Sequence, residues 1–255
     1  MGRPSPADFP RRAQEKNLQV ASEKKEPQMT SAATIEPLTH RKVGEIAASL
    51  TGATGVFRRF GIDFCCHGDV SLEDAAQARG VDLRAVEDAL GELDLAQAPL
   101  PAQDSAAIID HIVSRYHEVH RRQLPELILL AHKVEQVHAG KCGVPAGLAD
   151  TLQHALGELE VHMKKEELIL FPAMRRQDAG PLDGPITQLR HDHVDHGELV
   201  DRMTELTDDF TVPEGGCGTW RALYAGAAQF KNDLIEHIHL ENNILFPRFE
   251  TVAAP

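Results

Sequence analysis

The sequence predicts an all-α protein: an antiparallel four-helix bundle preceded by a small helical domain. Three observations carry that expectation. Four long apolar-periodic segments are separated by Gly/Pro breaks, alternating β-branched runs are scarce, and the second half of the bundle region repeats the first.

Taken in order, residues 1 to about 35 are rich in Pro, Ser, Lys and Glu with almost no periodic apolar positions, and are expected to form a disordered tail. Residues 38–95 carry short helical patterns. Val43, Ile46, Ala47 and Leu50 share a face, Ser71-Leu72-Glu73-Asp74 resembles a helix start, and Leu83, Val86 and Leu90 form another stripe, so about three helices are expected. Pro99 and Pro101 give 96–103 the composition of a linker. The bundle follows over 104–250, with helices expected at about 104–138, 147–174, 183–208 and 218–248. Short breaks at Gly140/Gly143/Pro145, Gly180/Pro181/Gly184 and Pro213/Gly215/Gly216/Gly218 make neighbouring helices antiparallel.

The duplication is also where the chemistry lies. His162-x-x-x-Glu166 runs on into Ile169-Leu170-Phe171-Pro172, and His237-x-x-x-Glu241 into Ile244-Leu245-Phe246-Pro247. Positions i and i+4 share a helix face, so each pair can aim an imidazole and a carboxylate at one point. His117 and His193 fall in step, the halves being offset by 76 (117 to 193) and 75 (162 to 237). At 1.5 Å per residue His117 and His162 lie roughly 31 and 23 Å from their shared turn, and His193 and His237 roughly 23 and 29 Å from theirs, so all four meet mid-bundle. Four imidazoles and two carboxylates suit two metals bridged by the glutamates, with iron favoured and manganese or zinc as chemical alternatives.

The other histidines have plainer readings. His132, His154 and His239 are expected at the surface or hydrogen-bonded in the core. His111, His120, His191 and His196 are expected to be partly exposed or to support the ligands. His138 lies 21 residues from His117, roughly 31 Å along a straight helix, and is a ligand only if Pro125 breaks that helix. Phe171 and Phe246 are expected to wall the site, and Pro172 and Pro247 to end or kink regular helix. Cys142 and Cys217 read as turn cysteines. Cys65 and Cys66, with His67 beside them, are different: adjacent side chains diverge, so at least one thiol should be accessible and shifted toward thiolate.

Composition narrows the function. Thirty-nine acidic against 26 basic residues give a charge of −13, which repels nucleic acid and anionic membrane surfaces, so neither is an expected partner. No apolar run approaches the roughly 20 residues of a membrane span. Four cysteines, two of them adjacent, make a poor disulfide framework, so reduced thiols in the cytoplasm are expected.

From about Leu38 to Phe249 the chain resembles the repair-of-iron-centres family, the ScdA/YtfE-like iron-sulfur cluster repair proteins. The motifs are Asp63-Phe64-Cys65-Cys66-His67-Gly68, Tyr116-His117 with Leu124-Pro125-Glu126-Leu127, His162-Met163-x-x-Glu166 with Phe171-Pro172, and His237-x-x-x-Glu241-Asn242-Asn243 with Phe246-Pro247. The resemblance implies a hemerythrin-like bundle with a non-haem di-iron centre, fused to a cysteine-bearing domain and acting on iron-sulfur proteins damaged by nitric oxide or peroxide, as a monomer or homodimer. It places the ligands at His117, His162, Glu166, His193, His237 and Glu241, and the family's cysteine pair, as possible transfer thiols, at Cys65 and Cys66. Oxygen-carrying hemerythrins have a histidine one turn after the third-helix ligand, where this chain has Gly197. One iron is therefore expected to keep a position free for a small ligand. Iron supply or exchange during repair is the reading this favours. Nitric oxide or oxygen binding and nitric oxide reduction are the rivals.

Overall fold

A computed structural model describes residues 37–93, 104–176 and 181–251. The expected tail, and all of the expected linker at 96–103, lie outside them. Among the described residues there is no strand, only an isolated bridge between Lys42 and Ser71.

The small domain has four helices rather than about three: α1 (Val43–Ser49), α2 (Ala53–Phe60), α3 (Leu72–Arg79) and α4 (Leu83–Gly91). The extra one is α2, whose apolar positions Ala53, Val56 and Phe57 are spaced i, i+3, i+4 and all buried. Ser71 caps α3 by accepting from the Asp74 N–H at 3.1 Å, and Asp82 caps α4 by accepting from that of Arg84 at 3.1 Å. Gly61 and Gly80 close α2 and α3 with φ of 66° and 68°, a left-handed cap that a side chain would strain.

The bundle helices are α5 (Ser105–Ile112 and Glu118–Val137, joined by a π turn Val113–His117), α6 (Leu148–Lys165 and Phe171–Met174, joined by a π turn Glu166–Leu170), α7 (Asp183–Leu206) and α8 (Gly218–His239, continuing through a π turn Leu240–Leu245). Helix α5 packs on α6 and α8, and α6 on α7, as the short connections require. Pro125 does not break α5.

The π turns have a physical cause in α6 and α8. Pro172 and Pro247 lack an N–H and their rings crowd the carbonyl four residues back, so the ladder widens by one residue just before them. The widened turns begin at Glu166 and just before Glu241, so the terminator motif also sets where the carboxylates point.

The small domain docks on the bundle and shares one apolar core with it. Phe57, Phe64, Cys65, Val200 and Ile238 belong to that core. Asn242 Nδ2 donates to the Cys65 carbonyl at 2.8 Å and Asn243 Nδ2 to that of Phe64 at 2.8 Å, while Arg58 pairs with Glu236. A Cβ on Gly68 would sit 2.7 Å from the Phe64 carbonyl and 2.8 Å from Asn243 Oδ1, so only glycine allows this approach. The Cys-Cys segment is thus held against α7 and α8.

Candidate metal centre

The histidines and glutamates predicted as ligands all converge on one buried point. His117, Glu166, His193, His237 and Glu241 have no exposed surface, and His162 has 1%. Their donor atoms form two groups: His117, Glu166, His237 and Glu241, and His162, Glu166, His193 and Glu241, each with its donors within 4.8 Å of one another. Both glutamates belong to both groups. Each group also takes one histidine from each half of the repeat, so neither half could form a group by itself.

Distances within the cluster are those of neighbouring ligands around a cation. His117 Nε2 lies 3.1 Å from His237 Nε2, and His162 Nε2 lies 3.1 Å from His193 Nε2. Glu166 Oε2 stands 3.3 and 3.5 Å from His117 and His162, and the Glu241 oxygens 3.0 Å from His193 and His237. With metal–nitrogen bonds of about 2.1 Å, adjacent ligands in an octahedron are separated by about 3 Å. Both oxygens of Glu166 are buried without a hydrogen-bond partner among the described residues. An uncompensated buried carboxylate costs several kcal/mol, which a cation between these atoms would offset. The donor set therefore fits the group that the sequence implied.

Three of the four histidines are turned toward the centre by a bond at Nδ1. His117 Nδ1 donates to Glu167 Oε1 at 2.7 Å, and Glu167 takes two bonds from Arg121 at 2.7 and 3.2 Å. His162 Nδ1 donates to Asp192 Oδ2 at 3.3 Å, to which Lys165 also donates at 2.6 Å. His193 Nδ1 donates to Asn242 Oδ1 at 2.8 Å. His237 Nδ1 has no such partner among the described residues, and its ring lies flat on Tyr116 at 5.4 Å. Phe171 stacks on His117 and Phe246 on His193, both at 5.9 Å, as the repeated Phe-Pro predicts. Ile169 in the same motif is 63% exposed and is not core.

Electrostatics separates the imidazoles. Burial disfavours charge on His117 and His162, but Glu166 and the other nearby carboxylates outweigh it and raise both pKa values. Burial, reinforced by neighbouring histidines, pushes His237 well down. Burial also tends to raise Glu241, yet the facing imidazoles, His193 first, hold it below the ordinary value.

Two residues were underread in the sequence. His120 and His196, expected to be partly exposed or supporting, are fully buried at 0% and 1%. They line the cluster, His196 with ring centroids 4.8 Å from His162 and His120 5.6 Å from His237. Burial drives the pKa of His120 well down and that of His196 to about 2. Their offset of 76 (120 to 196) equals that of His117 and His193, so the repeat marked them. His138 stays far from the cluster. Its Nε2 lies 3.2 Å from Cys217 Sγ, and this bond, with the N–H groups of Trp220 and Thr219 at the start of α8, lowers the Cys217 thiol to about 7.

Cys65 and Cys66 are free thiols beside the cluster, not in it. Cys66 Sγ donates to the carbonyl of His193 at 3.2 Å. A Cβ on Gly197 would lie 3.5 Å from Cys66 Sγ, an ordinary contact, so the thiol sits beside the position where a further histidine is absent.

A helical bundle whose core converges histidines and shared glutamates is the architecture of a hemerythrin-type cation-binding protein. The model described as "Hemerythrin HHE cation binding domain" matches residues 108–249, and one described as "Domain of Unknown function (DUF542)" matches 39–94. The chain is 49% identical over 216 residues to the iron-sulfur cluster repair protein YtfE of Edwardsiella ictaluri, covering 82% of this chain and 96% of that one. It is 47% identical over 212 residues to the YtfE of Musicola paradisiaca (82% and 95%), and 42% over 213 to a probable iron-sulfur cluster repair protein of Haemophilus influenzae (82% and 96%). The chain belongs to the YtfE family of iron-sulfur cluster repair proteins.

Proposed function

We propose that this protein repairs iron-sulfur clusters damaged by nitrosative or oxidative stress, supplying or exchanging iron from a di-iron centre held by His117, His162, Glu166, His193, His237 and Glu241. The observation that carries the reading is the overlap of the two ligand groups on Glu166 and Glu241. Relatives 42–49% identical carry cluster repair in their names, which supports the same activity here. When bound, the iron pair supplies redox and Lewis-acid chemistry, and iron is also the cargo. The chain's part is to orient four Nε2 atoms, to keep water out with Phe171 and Phe246, and to offer exchange ligands at Cys65 and Cys66. The work divides between a small domain over 38–95 and a bundle over 104–250, acting in the cytoplasm on damaged iron-sulfur proteins. No helix among the described residues is long and apolar enough to cross a membrane.

Nitric oxide or oxygen binding is favoured as a second property by the ligand count. Each group offers four protein donors, fewer than the six that iron accepts, so positions are left for a small ligand.

The test is anaerobic incubation of the reduced, iron-loaded protein with a nitric-oxide-damaged cluster enzyme, following recovered activity and iron content. Recovery that tracks iron lost from this protein is expected. Recovery with no iron movement would contradict supply. Cys65→Ser/Cys66→Ser is expected to retain bound iron and nitric oxide binding while losing most of the repair.

A further inference from the structure

Asp63, Cys65 and Cys66 stand apart from the buried histidines and form a donor cluster of a different kind. Cys65 Sγ lies 3.6 Å from Cys66 Sγ and 3.4 Å from Asp63 Oδ1, and one donor atom from each of the three residues lies within 4.8 Å of the others. With metal–sulfur bonds of about 2.3 Å and metal–oxygen bonds of about 2.1 Å, the edges of a tetrahedral site are about 3.8 Å between sulfurs and about 3.6 Å between sulfur and oxygen. Both edges therefore lie within about 0.2 Å of those a four-coordinate ion would set. Neither thiol is in a disulfide.

The surroundings are those of a built site. Asp63 Oδ1 accepts from the backbone N–H groups of Cys65 at 3.1 Å and Cys66 at 2.9 Å, and His67 Nδ1 holds Asp63 Oδ2 at 2.7 Å. Asp63, with its side chain 42% exposed, is thus tied to the backbone of both cysteines. Asn242 fixes the Cys65 carbonyl at 2.8 Å, so both cysteines ride on backbone tied to the bundle. The cluster opens on a cavity of about 870 Å³ between the small domain and helices α7 and α8, which Lys231, Thr204 and Gly197 also line.

We propose that Asp63, Cys65 and Cys66 form a third metal site, separate from the histidine–glutamate centre, that takes a divalent ion such as ferrous iron or zinc in three protein ligands and leaves the fourth position to the cavity. Binding releases the two thiol protons to solvent as two metal–sulfur bonds form, with no change of oxidation state. Because both thiols must lose a proton to bind, occupancy rises with pH. Two thiolates favour zinc or iron over the harder magnesium and calcium, and an open fourth position suits a site that hands its ion on. This site deepens the transfer reading but does not depend on it, because binding is read without any repair assay.

The probe is Co(II), titrated anaerobically into the reduced, iron-loaded full chain, with thiolate-to-cobalt charge-transfer absorbance as the readout. The histidine–glutamate centre has no sulfur and cannot produce that band. We expect it to saturate at about one equivalent per chain with the intensity of a tetrahedral thiolate site. Cys65→Ser should abolish it, and Cys142→Ser/Cys217→Ser should leave it unchanged. Asp63→Asn keeps the oxygen that accepts from the Cys65 and Cys66 N–H groups, so it preserves the turn and should weaken binding at least about tenfold. No thiolate band in the parent protein, or one that Cys65→Ser and Asp63→Asn leave undiminished, would overturn the site.

Discussion

The two halves of the bundle present the same ligands in the same register and support them in different ways. In the first half the residue after Glu166 is Glu167, which holds His117 and is itself held by Arg121. In the second half that place is Asn242, which holds His193 with its oxygen and the Cys65 carbonyl with its amide. One residue further on, Leu168 is 73% exposed, whereas its counterpart Asn243 reaches the Phe64 carbonyl at 2.8 Å. An ionic brace stabilises a histidine locally. An amide brace, able to donate and accept at once, couples the metal centre to the Cys-Cys segment. The duplication therefore explains the candidate ligands, and its breakdown at 167/242 and 168/243 supplies the hydrogen bonds by which the second half holds the small domain.

Substitutions can break that comparison, beginning with the part the halves share. Glu166→Ala and Glu241→Ala should each weaken iron binding by at least about 100-fold, and equally, because each carboxylate serves both ligand groups. Metal analysis of the purified variants checks this. Braces come next. Glu167→Ala and Asn242→Ala should each lower iron affinity about 10- to 100-fold, but only Asn242→Ala should also speed amide exchange across residues 62–68. Exchange in that segment unaffected by Asn242→Ala would mean that the two braces are equivalent after all.

Asn243→Ala isolates docking from metal binding. It leaves the Phe64 carbonyl without its side-chain donor, so a loss of about 1–3 kcal/mol in denaturant unfolding is expected with iron content unchanged. Smallest in effect on the centre is His138→Ala. It should leave the iron spectrum intact and act instead on Cys217, whose thiol is held at about 7, below its ordinary value, with His138 as the largest cause. Because the thiolate is the nucleophile, iodoacetamide labelling of Cys217 should rise through about pH 7 in the parent and at higher pH in the variant.

Much of the fold and the candidate site is legible in the sequence. Periodicity and Gly/Pro breaks located the bundle helices to within about three residues, and the repeat picked out His117, His162, Glu166, His193, His237 and Glu241, which the fold brings together. The same offset of 76 also marked His120 and His196, and only their burial shows why it matters. The rest had no local signature. A π turn shifts the ladder by one residue and leaves an apolar stripe almost unchanged, with Pro172 and Pro247 as the visible trace. Docking of the Cys-Cys segment depends on residues 177 apart, Cys65 and Asn242, and the Cys217–His138 bond on residues 79 apart, distances at which neither spacing nor composition carries information.

The central claim is that Glu166 and Glu241 hold two irons side by side rather than one. X-ray absorption at the iron edge of the fully loaded protein, with metal analysis on the same sample, tests it most directly. The account predicts about two irons per chain with an iron neighbour at roughly 3.5–4 Å around each. A single iron per chain, or two with no iron–iron scattering, would contradict it.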